Sequence, residues 1–481
     1  MQKAVPTTDQ LPLWTKLAYG FGAVAYGIKD GGFAYFLLIF YSQVIGLDAG
    51  MVGLAITLAL IFDAISDPIV GYWSDNLHSK WGRRHPFLYA SAVPVAATYY
   101  LLWNPPVGWS NEALFWYLLS LAILIRTFIT FNETPSSALT PELTPNYDER
   151  STLISWRLFF AWTGGNAMSV MMFLALFPAF ATATTTGQFN RDAYAAYGMI
   201  AAALIGISIL ASALGTHSRI PYLKPAPPKR YLTLRVIFQE VYETLSNRSF
   251  VALFIANVFG AIGAGMSAAL AFYISTYFWK FTPLQIGGLT LGVFVSAIIG
   301  AVMAPIVTRT IGKKRGAMII GMIAFLGAPL PIVLKLVGLL DTGTPTFIYL
   351  LVLVAGIIDV GLIICFQVLA AAMMADLVEQ SELKTGRRSE GTFVAAATFI
   401  RKMVSGLGVM GATVVLALAG LKAGVKPEDV PADVVWRLGA FYVPIILSLW
   451  MAMMSAIAFY RLDRADHEDN LRQLAERNAA R

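Results

Sequence analysis

Two aspartates, Asp63 and Asp67, lie four residues apart in the run FDAISDP (62–68), within a long apolar stretch. In a helix this spacing places both carboxylates on one face. Two carboxylates side by side at low dielectric repel each other, so positive charge must compensate them. Carboxylate oxygens and the Ser66 hydroxyl suit a hard monovalent cation such as Na+, which is the interpretation we favour. A shared proton, or salt bridges to Lys29 or Lys402, would also relieve the repulsion.

Another apolar stretch carries Arg126, Thr130 and Glu133, which share one helix face at i, i+4 and i+7. Thr130 offers a hydroxyl oxygen to a cation site, although a threonine in a membrane helix often bonds its own backbone. Arg126 has two possible roles, since it could pair with Glu133 or contact a ligand. We therefore expect this face to line the same polar cavity as the two aspartates.

Charged side chains recur throughout the apolar stretches, and each costs at least ~2.5–3.5 kcal/mol at the centre of a bilayer. Five cations and five anions indicate mutual pairing in a shared cavity. Lys29 and Asp30 are neighbours and should point to different faces, so we expect them to have different partners. Arg157 lies near a segment end and could instead extend its charge to the membrane surface. The ten residues are Lys29, Asp30, Asp63, Asp67, Arg126, Glu133, Arg157, Asp359, Arg401 and Lys402.

The stretches that position these residues form twelve apolar segments, each close to or above the ~20 residues that cross a bilayer. Backbone in lipid must satisfy its own hydrogen bonds, so segments of this length must be helices. With 57% hydrophobic and 13% charged residues, the chain cannot be a soluble multidomain enzyme, and its single cysteine excludes an internal disulfide. The segments are 16–43, 51–74, 86–103, 112–136, 152–180, 194–215, 249–278, 284–308, 315–338, 346–376, 391–420 and 437–461.

Lysine and arginine predict the orientation in the membrane. Of the 35 such residues, 24 lie in the termini and the loops after segments 2, 4, 6, 8 and 10, and six lie on the opposite side. Because positive residues are retained on the cytoplasmic side, we expect both termini to be cytoplasmic in a plasma or inner membrane. This bias also accounts for the net charge of +7 without nucleic acid as a partner.

A polar break divides the chain into two sets of six segments. We expect an N-terminal bundle (1–215), a cytoplasmic central loop (216–248), a C-terminal bundle (249–461) and a cytoplasmic tail (462–481). A basic turn follows the second segment of each half, with Asp75, Arg83 and Arg84 in one and Arg309 in the other. Any short cytoplasmic loop collects such residues, but matched turns in a duplicated chain are typical of the major facilitator superfamily. The sequence thus predicts an all-α membrane protein with twelve transmembrane helices in two pseudo-symmetric six-helix bundles.

Within that superfamily the sequence resembles the glycoside–pentoside–hexuronide:cation symporter family, which contains the melibiose permease. The resemblance implies sugar uptake coupled to Na+, Li+ or H+ by alternating access, with no cofactor beyond the coupling ion. In the second half it rests on MAD (374–376) and on Glu390 followed by Lys402. In the first half it rests on KLAYGFG (16–22), Lys29-Asp30, the FDAISDP run, WGRR (81–84), ALTP (138–141), DER (148–150) and Trp156-Arg157.

The resemblance also implies which residues do what. The partners would be a small-molecule substrate such as a glycoside and the lipid bilayer, with a monomer as the functional unit. The gating loops would contain Asp75, Arg83, Arg84 and Arg309. The cation site would comprise Asp63, Ser66, Asp67 and Thr130. The substrate site would comprise Tyr26, Lys29, Asp30, Arg126, Glu133, Arg157, Gln367 and Lys402, with Lys402 between the two sites.

The sequence departs from the family pattern at positions that bear on the ligands. Ser66 stands where the family has an asparagine, which leaves the preferred cation open. Ser137 and Gln367 stand where tryptophans face the sugar, so Tyr26 or Phe366 would have to supply the aromatic surface. A galactoside like melibiose is therefore not the expected substrate.

Arg126 is an additional cation where the family has a small residue, and it would suit an anionic substrate such as a hexuronide or a sulfonated sugar. A second interpretation keeps the fold and makes the chain a carrier of a lysophospholipid or another amphiphile. The lost tryptophans favour that interpretation, whereas the charges within the segments oppose it. We expect neither an enzyme nor a receptor, because the sequence contains no His/Cys metal cluster, nucleophile triad or phosphate loop.

Overall fold

The computed structural model describes residues 11–144, 146–183, 185–223, 248–340, 343–385 and 390–459, and for 147–148, 248–250, 375–385 and 390–400 it describes the backbone alone. The predicted central loop beyond residue 223 and the predicted tail lie outside this part of the chain. The side chains of Asp376 and Glu390 lie outside it as well. Within the described residues the chain is helical and contains no strand.

Twelve helices run through the described part of the chain, and each coincides with one of the predicted segments. Eleven are long and apolar enough to cross a bilayer, and the remaining helix, α3, has 18 residues. The helices are α1 (Leu13–Val44), α2 (Ala49–Asn76), α3 (His85–Leu102), α4 (Asn111–Leu143), α5 (Glu149–Ala179), α6 (Arg191–His217), α7 (Val251–Phe278), α8 (Pro283–Ile311), α9 (Lys313–Leu336), α10 (Pro345–Thr385), α11 (Glu390–Ala419) and α12 (Ala432–Ala458).

The helices pack into two groups of six. Helices α1 to α6 contact one another through the pairs α1–α5, α2–α4, α3–α4 and α3–α6, and α7 to α12 do so through α7–α11, α7–α12, α8–α10 and α9–α10. The largest contact between the groups is that of α2 with α11, and smaller ones join α1 to α7 and α5 to α8. The predicted fold of two six-helix bundles is therefore confirmed.

The second helix of each bundle begins at a side-chain cap. The Asp48 carboxylate accepts hydrogen bonds from the backbone N–H groups of Gly50 and Met51 at 2.9 and 3.2 Å, which starts α2. At the start of α8, Thr282 and Gln285 form a capping box. Both devices satisfy backbone donors that the first turn of a helix leaves free, so α2 and α8 have well-defined first turns.

The backbone before these two caps shows that the halves are duplicated. Helix α1 ends in the π-helical turn Phe40–Val44, and α7 ends in the π-helical turn Ile274–Phe278. The same hydrogen bond follows each turn, from Ile45 N to Phe40 O at 3.0 Å and from Trp279 N to Ile274 O at 2.9 Å. Two different five-residue sequences thus adopt one local geometry at equivalent positions, as an internal repeat requires.

The next residue in each half has a positive φ angle. Gly46 has φ +90° in the first half, and Lys280 has φ +55° in the second. Lys280 is the single non-glycine residue with positive φ in the part of the chain described here. Because this conformation costs an L residue ~1–2 kcal/mol, a lysine there indicates that the surrounding repeat imposes the turn.

The two bundles are hydrogen-bonded to each other at the end where α1 and α7 finish, which we call the latch end. The Tyr277 hydroxyl donates to Gln43 Oε1 at 3.1 Å, and the hydroxyls of Ser42 and Tyr273 share a hydrogen bond. Gly424 N donates to the Ser42 carbonyl at 3.0 Å. Ser42, Tyr273 and Tyr277 are all fully buried. We call these five residues the latch, because their bonds cross from one bundle to the other.

Replacing Tyr277 with Phe should weaken the latch. One hydrogen bond contributes about 1 kcal/mol net, so separation of the bundles at the latch end should become about fivefold more frequent. The readout is the rate at which a membrane-impermeant maleimide labels Leu38→Cys in a Cys365→Ala background. Leu38 is 2% exposed, and its carbonyl lies 3.4 Å from the Tyr273 hydroxyl.

Tyr41→Phe is the matched control for this measurement. Its hydroxyl is equally buried but donates to the Leu102 carbonyl at 2.8 Å, within one bundle. Labelling should therefore stay at the rate of the parent protein. Equal labelling of the Tyr277 and Tyr41 variants would contradict a latch between the bundles.

Candidate functional site

Asp63 and Asp67 share one face of α2, and that face meets α4. Thr130 Oγ1 lies 3.2 Å from Asp63 Oδ1 and 2.9 Å from Asp67 Oδ1. It also lies 2.9 Å from the Arg126 carbonyl of its own helix. Thr130 therefore contacts the two aspartates and its own helix backbone at the same time. Ser66 instead donates to the Asp63 carbonyl at 3.0 Å. We call Asp63 Oδ1, Asp67 Oδ1 and Thr130 Oγ1 the oxygen cluster.

Lys402 reaches both aspartates from the other bundle. Its Nζ lies 2.6 Å from Asp67 Oδ2 and 3.2 Å from Asp63 Oδ2. Helices α2 and α11 approach closely here, because the Thr57 hydroxyl bonds the Gly406 carbonyl at 2.9 Å and a Cβ on Gly406 would lie 2.9 Å from the Thr57 methyl. Small residues permit such close packing of membrane helices. Lys402 therefore makes an ionic contact between the bundles.

Arg126 is the second base at the aspartates. Its Nη1 lies 3.2 Å from Asp63 Oδ2, and its guanidinium carbon lies 4.8 Å from the centre of the Phe33 ring of α1. The residue is 5% exposed. Arg126 thus pairs with an acid, but with Asp63 rather than with Glu133 on its own helix.

The expectation that Lys29 and Asp30 have different partners is wrong. Lys29 Nζ lies 2.5 Å from Asp30 Oδ1. The Lys29 side chain is 3% exposed and that of Asp30 is 64% exposed. A buried ammonium group needs a counter-charge, and the long lysine side chain is flexible enough to reach the neighbouring residue. Asp30 remains accessible to a ligand.

Arg157 connects three helices through hydroxyl groups. Its guanidinium donates to Tyr26 at 3.2 Å, to Tyr19 at 3.1 Å and to Ser137 at 2.8 Å. Tyr19 in turn donates to the Ser136 carbonyl at 2.8 Å. Tyr19 was not among the predicted site residues, although its spacing of seven from Tyr26 places both on one face of α1. The arrangement holds a charged donor group beside two aromatic rings.

The other predicted residues take no direct part in these hydrogen bonds and ion pairs. Glu133 is partly buried on α4, and Gln367 is exposed on α10; neither forms an ion pair or a side-chain hydrogen bond within the described residues. Arg401 is exposed, whereas the neighbouring Lys402 reaches α2. Asp359 on α10 has a buried Oδ1 without a hydrogen-bond partner in the described part of the chain. In this conformation, the predicted site residues that make the contacts described above thus belong to the N-terminal bundle, except for Lys402.

A second charged network closes the opposite, basic end of the N-terminal bundle. Arg84 lies 3.2 Å from Glu142 Oε1 and pairs with Asp75, and Arg83 lies 2.7 Å from the same glutamate oxygen. Glu142, in the last turn of α4, was not predicted, and its position directly after ALTP is the signal that could have identified it. Arg309 is exposed and forms no ion pair among the described residues.

Two six-helix bundles, joined by charged side chains within the membrane helices and by hydrogen bonds at one end, are an architecture common among secondary transporters. The profile of the family described as "MFS/sugar transport protein" matches residues 18–464. The chain belongs to this family of the major facilitator superfamily. It is therefore a multi-pass membrane transporter and not an enzyme.

Curated relatives are similar over nearly the whole chain. An uncharacterised symporter of Synechocystis sp. is 24% identical, covering 98% of each chain. The isoprimeverose transporter of Lactiplantibacillus pentosus is 24% identical, covering 95% of this chain and 90% of the relative. The mouse sphingosine-1-phosphate transporter MFSD2B is also 24% identical, covering 91% and 88%.

The solved structure of a D-xylose-proton symporter has the same fold. It matches with a TM-score of 0.59 at 15% identity, covering 91% of this chain and 97% of that one. At this identity the likeness concerns the arrangement of the helices alone. It agrees with the two-bundle architecture described above.

The contact of Lys402 with Asp67 should be measurable as a coupling free energy. In a double-mutant cycle of Lys402→Gln and Asp67→Asn, we expect about 1 kcal/mol or more of coupling in the free energy of unfolding, because the pair is largely buried. The measurement is denaturant unfolding of the purified protein in detergent.

The exposed pair Arg437 and Asp433 provides the control, with a distance of 2.5 Å and side chains 42% and 67% exposed. Its coupling should stay below about 0.5 kcal/mol, since solvent screens exposed ion pairs. A coupling for Lys402 and Asp67 as small as that of the control pair would refute the bridge between the bundles.

Proposed function

We propose that the chain is a symporter that couples inward movement of a monovalent cation, Na+ in preference to H+, to uptake of a sugar or glycoside by alternating access. The oxygen cluster beside Lys402 carries the proposal. Relatives named as a symporter and as an isoprimeverose transporter support it.

The geometry around Thr130 supports a positive charge at the oxygen cluster. Its hydroxyl has three acceptor oxygens within 3.2 Å but only one hydrogen to donate. Two of these three oxygen–oxygen contacts therefore lack a hydrogen between them. Their oxygens repel each other unless a cation or a further proton lies among them. Carboxylate and hydroxyl oxygens are the ligands of hard cations, so the residues present fit a site for such an ion.

Competition between the cation and Lys402 supplies a route to coupling. A cation at the oxygen cluster weakens the attraction of Asp63 and Asp67 for the Lys402 ammonium. That attraction is a contact between the bundles, so the ion biases their relative position. Any tightening of substrate binding by the cation must be matched by an equal tightening of cation binding by the substrate.

The groups around Arg157 suit a hydroxylated substrate. Arg157 provides donors, Asp30 and Glu133 provide acceptors, and sugar hydroxyls are both donors and acceptors. Tyr26 offers an aromatic face to the apolar side of a sugar ring. Lys29 would set the position of Asp30, and Gln367 and Lys402 would complete the site from the other bundle.

The membrane orientation belongs to the same proposal. The basic end, with Arg83 and Arg84, would face the cytoplasm together with both termini, and the latch end would face outward. Asp75 and Arg309 would lie in the gating loops of the two halves. A single chain, divided into the two bundles, the central loop and the tail as the sequence predicts, would be the transporting unit.

A lipid-like substrate is the second candidate function, favoured by the similarity to the sphingosine-1-phosphate transporter MFSD2B. A carrier of amphiphiles needs an apolar path for the hydrocarbon chain. The charged and hydroxyl groups around Lys402 and Arg157 are better suited to a polar substrate. Binding of sphingosine 1-phosphate but of no glycoside would reverse this preference.

Asp63→Asn tests the cation site. The amide keeps the shape but removes a charge from the oxygen cluster, so stimulation of glycoside uptake by a cation gradient should fall by tenfold or more, to about the level of passive exchange. Uptake into proteoliposomes is measured under an inward Na+ gradient and, separately, under an inward H+ gradient.

Asp359→Asn is the matched control, because it removes a carboxylate from a membrane helix of the other bundle. It should retain the response to the gradient. Undiminished stimulation in Asp63→Asn would eliminate this aspartate as the coupling site, whereas stimulation by H+ alone would correct the choice of ion.

Arg157→Gln tests the substrate site independently of the ion. A glycoside that stabilises the parent protein against heat should lose at least about 1.5 kcal/mol of binding, the usual strength of a hydrogen bond to a charged group. Stabilisation by the coupling cation should remain. Arg437→Gln, at an exposed position, should change neither. A glycoside affinity unaffected by Arg157→Gln would contradict this assignment.

A further inference from the structure

Arg126 is fixed against the aspartates from its own bundle. It belongs to α4, and its Nη1 contacts Asp63 Oδ2 at 3.2 Å while its guanidinium lies over Phe33 of α1. Helices α1, α2 and α4 all belong to the N-terminal bundle. When the two bundles move relative to each other, Arg126 therefore stays with Asp63.

Lys402 differs from Arg126 in this respect. It reaches Asp63 and Asp67 from α11 of the C-terminal bundle, so movement of the bundles can withdraw it. Of the two bases that form ion pairs with Asp63 and Asp67, one is thus permanent and one is removable. The two carboxylates and these two bases sum to zero charge. With Lys402 withdrawn, the net charge is −1 because Arg126 remains.

The oxygens of the two aspartates are divided accordingly. The Oδ2 atoms face the bases, Asp63 Oδ2 contacting both Arg126 and Lys402, and Asp67 Oδ2 contacting Lys402. The Oδ1 atoms face Thr130. A cation at the oxygen cluster would therefore lie across the Asp63 carboxylate from a fixed guanidinium, which repels it.

We propose that Arg126 is a built-in counter-cation that limits the oxygen cluster to one monovalent cation and keeps its affinity for Na+ low. The inference rests on the proposed cation site. It explains why a base stands among the ligands of a site for a positive ion: the guanidinium neutralises half of the buried charge, so that Lys402 and a single external cation can replace each other without leaving a net charge.

The test is a Na+ titration of the purified protein, with choline replacing Na+ at constant ionic strength and thermal unfolding as the readout. In Arg126→Ser the Na+ concentration for half of the maximal shift should fall by about tenfold or more, because a repelling charge has been removed. Arg126→Lys keeps the charge and should stay close to the parent protein. The gained affinity should disappear in Arg126→Ser combined with Asp67→Asn.

The opposite result overturns the inference. If Arg126 only holds Asp63 in place, Arg126→Ser will bind Na+ as weakly as the parent protein or more weakly. Should Arg126→Ser fail to fold in choline, Arg126→Gln, which preserves most of the side-chain volume, is measured in its place. A folded Arg126→Gln that shows no tighter Na+ binding likewise refutes the proposal.

The binding measurement separates this inference from the proposed function. Tighter Na+ binding in Arg126→Ser, together with uptake that ignores every cation gradient, would support the role of Arg126 and overturn symport. Uptake driven by a proton gradient, with no Na+ binding in Arg126→Ser or Arg126→Gln, would overturn the role of Arg126 and leave coupled transport intact.

Discussion

Two carboxylates in the middle of a membrane helix, one fully buried and one partly buried, are the constraint on which the rest of the site depends. Asp63 is 1% exposed, and an uncompensated charge at that depth is costly. Two bases, Arg126 from α4 and Lys402 from α11, reach the same Asp63 oxygen at 3.2 Å. Because one base belongs to the same bundle as Asp63 and the other to the opposite bundle, neutralising the charge also joins the bundles. The charge of the site and the relative position of the bundles therefore cannot change independently.

The contacts between the bundles differ in kind along the membrane. At the latch end they are neutral hydrogen bonds, such as that of Tyr277 with Gln43 at 3.1 Å, to which Gln188 and Thr276 add another at 2.9 Å. At mid-membrane the contact is ionic, through Lys402. A cation competes with an ammonium group for carboxylates but does not compete for a hydrogen bond between a tyrosine and a glutamine. In the proposed symport, ion binding would therefore act on the middle contact, while the latch would supply a bias that is independent of the ion.

The fold was predictable from the sequence because hydropathy and segment length decide it, and all twelve segments coincide with helices. The shared face of Asp63 and Asp67 was also predictable, since it follows from local spacing. Contacts between distant parts of the chain were not: nothing local distinguishes Asp63 from Glu133 as the partner of Arg126. The pairing of Lys29 with Asp30 does not follow from the directions in which neighbouring side chains leave a helix, because the long lysine side chain can bend back to the adjacent residue.

The duplicated backbone carries a site in only one half. Pro68-Ile69-Val70 in α2 recurs as Pro305-Ile306-Val307 in α8, so Asp63 and Asp67 correspond to Gly300 and Ala304. A Cβ on Gly300 would lie 2.6 Å from the Ile364 side chain, which leaves no room for a carboxylate between α8 and α10. Helices α8 and α10 therefore meet through apolar groups at this position, whereas α2 and α4 meet there through the contacts of Asp63 and Asp67 with Thr130 and of Asp63 with Arg126. Duplication provides the symmetric frame in which two bundles can move. Because the second half lacks the two carboxylates at this position, the proposed cation site belongs to the N-terminal bundle, and the C-terminal bundle reaches it through Lys402.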